Sequence, residues 1–388
     1  MLENIIHGTE EIISKSVLMT KLKNKILRIK FGVDPTAPDL HLGHSVILNK
    51  LKLFQRLGHK IIFLIGDFTA KIGDPSGKSA TRIPLTDTEI LNNIKTYSQQ
   101  VFKILDKNKT DIVYNSSWLS KFDLNSLFNL MAKSTVAKML IRSDFEKRYK
   151  NKQTISLVEF LYPLLQAYDS VVLNADMEIG GSDQMFNLLL GREIQRSYGQ
   201  EEQIIITMPI LEGIDGVKKM SKSFNNYISL NETPDNMFGK IMSISDELMY
   251  KYYKILTTED LQYIKKIHPK EAKYLLAYKI VKQYYTKEIA NKTKLNFEKI
   301  FVKKKLPDNI AQCNVHVNNK IIKLSDLIIK SGFLLSKREI NRLIKQNAIK
   351  IDYKKINYDY TFNIKNYKGP IIIQIGKKRF KKIFITCN

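Results

Sequence analysis

Phe31-Gly32-Val33-Asp34-Pro35-Thr36-Ala37-Pro38-Asp39-Leu40-His41-Leu42-Gly43-His44 decides how the rest of the chain is read. Upstream of it, Lys25 to Val33 alternates apolar and polar residues as a strand does, and Asp34-Pro35 ends that strand because proline brings no ladder donor. Downstream, Ile47, Leu51 and Phe54, flanked by Leu48 and Leu57, recur at helical spacing up to Gly58, a natural stop. Lys60 to Ile65 then begins a second strand. Strand, loop, helix and parallel strand make one βαβ unit of a Rossmann-type α/β fold. Both histidines fall at the helix N-terminus, where unpaired backbone N–H groups favour an anion. His41 and His44 are three apart, so they share one face of the first helical turn and both reach a polyphosphate. Gly43 lets a flat ring or a ribose approach the backbone, and Thr36 adds a hydroxyl donor.

A strand ending in Asp-Pro-Thr and followed by His-x-Gly-His resembles the first signature of the class I aminoacyl-tRNA synthetases, and within them the tyrosyl group of bacteria. That family's second signature, Lys-Met-Ser-Lys-Ser, is matched residue for residue from Lys219 to Ser223. A bare basic run is usually a solvated loop; two signatures in the right order are hard to obtain by chance. The resemblance implies that Thr36, His41, His44, Lys219 and Lys222 stabilise the reacting phosphates. It also implies that Asp34, Gly43 and Asp183 join Lys219 and Lys222 in holding ATP, which magnesium accompanies, with no metal bound by the protein itself.

Composition fits a nucleic-acid partner. The 388 residues carry 63 Lys and Arg against 38 Asp and Glu, a formal net charge of +25, and 44% are hydrophobic. The charge points to a polyanion, nucleic acid before an anionic membrane surface, although lysine, isoleucine and asparagine are abundant throughout and part of the charge is compositional background. The length predicts two or three domains. Cys313 and Cys387 show no metal spacing and suit a reducing, cytoplasmic setting. The absence of any long apolar run or signal-like start agrees with that location and with no membrane association.

In chain order, residues 1 to 24 read as a helix. The loop from Gly66 to Lys78 holds three glycines and a proline but is not a P-loop, since no helix follows the Gly-x-x-x-x-Gly-Lys-Ser/Thr spacing. In the tyrosyl group this loop's Thr and Asp face the amino acid, which maps to Thr69 and Asp74; taken alone, Asp74 is as readily a turn cap. Thr86 and Glu89 form a capping box, and Ser156 and Glu159 a second. Residues 112 to 150 look helical and connective; in the family this insertion also makes a dimer interface, which implies a homodimer. Tyr162, Gln166 and Asp169 fall at i, i+4 and i+7 of an apolar helix interrupted by Pro163, so they line one stripe, either a solvated face or a pocket wall. The resemblance assigns Tyr162 and Gln166 to the substrate ammonium and Asp169 to the phenol of L-tyrosine. A buried partner for the hydroxyl rejects phenylalanine. Lys30 stands where many tyrosyl enzymes carry a tyrosine, and as a lysine it either donates toward the phenol or faces away. Gly180-Gly181-Ser182-Asp183-Gln184 opens a helix through Leu190, with Ser182 a natural N-cap; in the family its Asp takes the ribose hydroxyls and its Gln faces the amino acid. A strand at Gln203 to Thr207 leads to the lysine loop.

Residues 233 to 290 read as helices, including Asp246 to Leu256 and Glu259 to Ile267, with His268-Pro269 as punctuation. Lys287 to Asn319, with Lys303-Lys304-Lys305 and Pro307, is polar enough for a linker. Leu324 to Lys330 makes a short helix stopped by Gly332, and Ser336 with Glu339 caps another whose Arg338, Arg342 and Lys345 align on one face. Strands at Ala348 to Asp352, Tyr360 to Ile364 and Pro370 to Ile375 complete a small α+β unit. That unit resembles the S-four-like RNA-binding domain of bacterial tyrosyl enzymes, which makes the basic face a tRNA contact through phosphates.

The expected organisation is therefore a catalytic domain over 1–232 with the insertion at about 112–150, an α-helical domain on the anticodon-stem side over 233–290, a linker over 291–320 and the RNA-binding domain over 321–388. The implied function is ligation of L-tyrosine to tRNA(Tyr) through tyrosyl-adenylate. Two rivals stand beside it, a tryptophanyl synthetase of the same fold and a synthetase-like RNA-binding factor without catalysis.

Overall fold

A computed structural model of the chain describes residues 2–76, 85–302, 310–317, 321–363, 369–376 and 379–387. The chain divides into two compact units, residues 1–291 and 292–388.

The first unit is built on six strands: β1 (Glu11–Ile13), β2 (Arg28–Val33), β3 (Lys60–Ile65), β4 (Thr110–Tyr114), β5 (Met177–Gly181) and β6 (Ile204–Met208). They lie in the order β1-β6-β5-β2-β3-β4, and only β1 runs antiparallel. β3 and β6 are buried along nearly their whole length, which is why they read as mainly apolar runs, broken by Lys60 and Thr207, rather than alternating ones. Strand order reverses between β2 and β5, the switch point at which parallel α/β sheets open a crevice.

Helices α1 (Leu2–Ile6) and α2 (Lys15–Asn24) precede β2, α3 (Leu42–Arg56) joins β2 to β3, and α4 (Asp87–Val101) leads to β4. Five helices separate β4 from β5: α5 (Ser116–Leu119), α6 (Leu124–Met131), α7 (Val136–Leu140), α8 (Ser143–Lys150) and α9 (Leu157–Val172). α10 (Met185–Ser197) joins β5 to β6. α11 (Pro234–Ser243), α12 (Asp246–Leu256), α13 (Leu261–Lys266) and α14 (Pro269–Tyr284) follow, and α15 (Lys287–Phe297) carries the boundary between the units. The leading helix α3 behaves as its spacing predicts. Leu48, Leu51 and Phe54 are fully buried, each favouring the fold by roughly 1.5–3 kcal/mol over exposure, and Gly58 ends the turn at φ +89°. Both expected capping boxes, Thr86 with Glu89 and Ser156 with Glu159, are formed.

Several expectations are corrected. Residues 1 to 24 are not one helix: Gly8 turns the chain at φ +70°, and Glu11–Ile13 pairs with Ile205–Thr207 at the sheet edge. The segment from 112 is not wholly helical, because Thr110–Tyr114 is the other edge strand, paired with β3. Gly180 and Gly181 end β5 instead of starting a helix, a 3-10 turn at Ser182–Gln184 intervenes, and α10 runs on to Ser197; Ser182 caps nothing, the positions before these helices being Gly181 and Gln184. His268-Pro269 starts α14 rather than merely breaking the chain: Pro269 sits at the first helical position and His268 Nδ1 accepts the Lys270 N–H.

In the second unit β7 (Ala311–Val317), β8 (Ile321–Lys323), α16 (Leu324–Lys330), α17 (Lys337–Lys345), β9 (Ile349–Ile351), β10 (Lys354–Ile356), β11 (Thr361–Asn363), β12 (Ile371–Ile375) and β13 (Arg379–Cys387) form a five-stranded sheet, β10-β9-β12-β13-β7, and a β8–β11 pair. Leu324, Leu327, Ile328, Ile340, Ile349 and Ile373 are fully buried between helices and strands. The expected linker is largely regular structure. α15 occupies its start, and Ala311–Val317 is an edge strand parallel to β13, polar because mainly Val315 and Val317 face the core. Lys303, Lys304, Lys305 and Pro307, and the end of the expected strand at Ile364, lie outside the described residues. α16 and α17 match expectation, with Gly332 at φ +73°; Arg338, Arg342 and Lys345 are exposed while Ile340 and Ile344 are buried.

Candidate active site

A cavity of about 480 Å³ opens at the carboxyl ends of β2 and β5, and every residue expected for catalysis, nucleotide or amino acid lines it. The two signatures, far apart in sequence, meet through backbone bonds. The Leu42 N–H donates to Ile228 O (3.0 Å) and the Leu230 N–H to Leu40 O (2.9 Å), so the exit of the lysine loop is stitched to the histidine segment.

The histidines are fixed by the helix they begin. His41 is the N-cap of α3: its Nδ1 accepts the Gly43 N–H (3.2 Å), and His44 Nδ1 accepts the His41 N–H (3.2 Å). A backbone N–H only donates, so each neutral ring carries its proton on Nε2. Burial lowers His44 to about 4; it also carries His41 well below the usual imidazole range, helped by His44 and Lys219. At neutral pH both rings are uncharged Nε2–H donors. A Cβ on Gly43 would lie 2.9 Å from His41 Nδ1, so the glycine is needed first to seat the His41 ring.

Lys219 Nζ rests on Asp183 Oδ2 (2.9 Å), and Lys222 Nζ lies 3.9 Å from Asp39. The loop carrying them is braced by buried Asn226, which accepts the Ser221 N–H (2.8 Å) and donates to Asp215 Oδ2 (2.9 Å).

The other expected residues form a continuous network. The Tyr162 hydroxyl donates to Asp34 Oδ2 (2.9 Å) and the Thr69 hydroxyl to Asp34 Oδ1 (2.8 Å), which places Asp34 among the residues expected for the amino acid. Burial, and then the Asp34 charge, push the Tyr162 phenol well above its usual range. Asp74 caps its turn, Oδ1 accepting the Ser76 N–H (2.8 Å), and it also lines the cavity, where Oδ2 accepts Gln184 Nε2 (2.8 Å). Asn187 Nδ2 donates to Gln166 Oε1 and Gln184 Oε1, both at 2.9 Å. The stripe on α9 is a pocket wall: Tyr162 and Asp169 are buried and all three residues line the cavity.

Asp169 takes Trp118 Nε1–H on Oδ1 (2.9 Å) and Asn115 Nδ2 on Oδ2 (3.3 Å). Burial raises its carboxyl to about 7, against the opposing pull of Lys30, Trp118 and Asn115. Sequence reasoning missed these donors, as it missed Asn187 and Arg142, whose buried guanidinium pairs with Asp144 and reaches Asn187 and Ser76. The available signal was position: Asn115 lies just past the carboxyl end of β4, where this sheet type gathers its functional groups.

Lys30 is wholly buried. Its Nζ donates to Glu178 Oε1 (3.0 Å), Ser170 Oγ (2.8 Å) and Gln166 O (3.0 Å), using all three of its hydrogens within the protein.

Residues 22–302 match the family described as tRNA synthetases class I (W and Y). The chain is 50% identical over 393 residues to the tyrosine–tRNA ligase of Francisella tularensis, covering 99% of this chain and 98% of that one. To the tyrosine–tRNA ligase of Carboxydothermus hydrogenoformans it is 49% identical, with coverage of 98% and 97%. Among solved structures it resembles a C-terminally truncated mitochondrial tyrosyl-tRNA synthetase of Aspergillus nidulans (TM-score 0.64, 23% identity, 77% of this chain and 93% of that one). It also resembles the Archaeoglobus fulgidus tyrosyl-tRNA synthetase complexed with L-tyrosine (TM-score 0.61, 23% identity, 76% and 98%).

Proposed function

The chain belongs to the tyrosine–tRNA ligases, class I aminoacyl-tRNA synthetases, and on that premise we propose how its cavity carries out their reaction. The observation that carries the assignment of residues is the convergence of both signatures and the polar wall of α9 in one cavity. Tyr162, Gln166, Thr69, Asp74 and Gln184 hold the amino acid by its ammonium end, with Asp34 tying Tyr162 to Thr69, and Asp169 accepts the phenol. The tyrosine carboxylate attacks the α-phosphorus of ATP, which arrives with magnesium as part of the substrate, and pyrophosphate leaves. No enzyme nucleophile or base is needed; the task is alignment and stabilisation of charge on the phosphates. His41 and His44 supply neutral Nε2–H donors, Thr36 a hydroxyl, and Lys219 and Lys222 the positive charge. Asp183 takes the ribose of ATP once it exchanges its contact with Lys219, and Gly43 borders the nucleotide. The terminal ribose hydroxyl of tRNA then attacks the tyrosyl carbonyl carbon, releasing AMP.

Exchange of labelled pyrophosphate into ATP tests this reading. It is expected with tyrosine and not with phenylalanine or tryptophan. Exchange driven by tryptophan would favour the tryptophanyl alternative, and tRNA binding without any exchange would leave only an RNA-binding factor.

The second unit is assigned as the S-four-like tRNA-binding domain, its exposed Arg338, Arg342 and Lys345 meeting phosphates, with the helices of 233–290 facing the tRNA stem. No helix among the described residues is long and apolar enough to cross a membrane, which is compatible with work in the cytoplasm. A homodimer is supported by large apolar side chains left in water on the insertion and the start of α9: Leu124, Phe128, Val136, Ile141 and Leu157 are each at least 60% exposed. Phe128→Asp together with Ile141→Asp is expected to convert a dimer to monomers at micromolar concentration. Sedimentation equilibrium checks this, and an unchanged mass would move the interface elsewhere.

A further inference from the structure

Lys30 and Glu178 face each other on the last paired rung between β2 and β5, just before the two strands part to form the cavity. Both side chains are almost completely removed from water. Around them the packing is built for the pair. The Ser170 hydroxyl accepts from Lys30 and donates to Glu178 Oε2 (3.0 Å), and Gln203 Nε2 donates to the same oxygen (2.6 Å). α10 closes over the cluster at Gly191, where a Cβ would lie 2.7 Å from Gln203 Nε2. Two of the three Lys30 contacts, Gln166 O and Ser170 Oγ, belong to α9, and they flank Asp169 on that helix.

We propose that Lys30, paired with Glu178, is a positioning residue that sets amino-acid specificity: it pins α9 on either side of Asp169 and brings a positive charge to that buried carboxylate, so that a phenol is accepted and a bare aromatic ring is refused. The proposal deepens the assignment above and rests on Asp169 receiving the phenol. The physical reason is burial. A carboxylate this enclosed tends to take up a proton, and a protonated carboxyl costs much less to leave without a partner than a carboxylate does. Discrimination against phenylalanine depends on that cost. The groups facing Asp169 are Trp118 and Asn115, which donate to it, Lys30 from β2, which favours its charge, and Glu178 from β5, which opposes it; Tyr162 shares its helix and is engaged with Asp34. Lys30 is the one full positive charge in that set. Glu178 makes it tolerable in the interior, since a lone buried ammonium would lose its proton.

The test follows kcat/KM for tyrosine against pH in pyrophosphate exchange at saturating ATP, with phenylalanine in parallel, for Lys30→Met, Glu178→Gln and Asp169→Asn. Lys30→Met is expected to move the acid limb up by about one pH unit or more, because the ionised form of Asp169 loses its stabilising charge. At pH 7 its KM for tyrosine should rise about tenfold with KM for ATP unchanged, and the preference for tyrosine over phenylalanine should narrow. Glu178→Gln, which leaves Lys30 a lone buried ammonium that sheds its proton, should move the limb up as well but by less, because the repulsion by Glu178 is lost together with the attraction by Lys30. If Lys30→Met fails to fold, as thermal melting would reveal, the double variant Lys30→Met, Glu178→Met replaces the pair with apolar side chains. Its limb should still lie above that of the unaltered protein, because the attraction by Lys30 exceeds the repulsion by Glu178. A limb that stays put in the lysine variants while Asp169→Asn abolishes it would overturn the proposal, as would a downward shift in Glu178→Gln. Asp169→Asn that keeps both the limb and the preference would instead overturn the assignment of Asp169.

Discussion

Replacing His44 with asparagine is expected to lower kcat for adenylate formation by about 10²–10³-fold while leaving KM for tyrosine nearly unchanged. Asparagine suits this test because its side-chain oxygen can occupy the place of Nδ1, which accepts the His41 N–H at 3.2 Å and closes the capping box of α3. The helix start is therefore kept, and the Nε2–H is what disappears. That hydrogen is directed by the neutral tautomer, and burial keeps the ring neutral by lowering it to about 4. A donor held in a fixed place before the reaction costs no reorganisation when charge builds on the phosphate, so its removal falls on kcat. The same shift carries a stability signature. The folded protein binds fewer protons at His44 than the unfolded chain between pH 6.5 and about 4, so this contribution is full above pH 6.5 and declines as pH falls through that window. The melting temperature of the unaltered protein should drop across that interval more steeply than that of His44→Asn. Single-turnover adenylate formation measures the first effect, and an unchanged kcat would remove His44 from the chemistry.

Gly66→Ala is expected to raise KM for tyrosine by about 10²-fold, although the substitution adds one methyl group to a residue with no functional side chain. A Cβ there would lie 2.1 Å from Asp34 Oδ1 and 2.4 Å from Thr69 Oγ1. Neither atom can swing away. Asp34 is tied to Tyr162 OH and Thr69 Oγ1, and Thr69 Oγ1 also accepts Asn115 Nδ2 at 3.1 Å. Relief must come from parting Asp34 and Thr69, which breaks the link to Tyr162 and displaces the proposed ammonium site by the order of an ångström. Overpacking of this kind also costs roughly 1–3 kcal/mol of stability. KM for ATP should shift far less, since the contacts that fix the histidines do not involve Gly66. Steady-state exchange kinetics with a thermal melt separate the two effects, and a tyrosine KM within twofold of the original would show that the loop relaxes without moving Asp34.

What the sequence determined by itself was whatever is encoded within a few neighbouring residues. The Asp34-Pro35 break, the periodicity of α3 and its stop at Gly58 define the βαβ unit, because proline, glycine and helical spacing act through local backbone geometry. Capping boxes at Thr86 and Ser156 were legible for the same reason, and the two signatures marked part of the cavity lining because each lies on one short stretch. Tertiary structure decided the rest. The segment at 311–317 looks like a polar linker until its parallel partner β13, some seventy residues away, satisfies one side of it. Tyr162, Gln166 and Asp169 have the spacing of a solvated stripe as much as of a pocket wall, and only the packing of α9 against the rest of the unit removed the water. Lys30 is the clearest case. Lysine in an alternating strand carries no local mark of burial, and its partner Glu178 lies 148 residues further along the chain. Their meeting is fixed by the register of β2 on β5, a long-range property that no local pattern encodes.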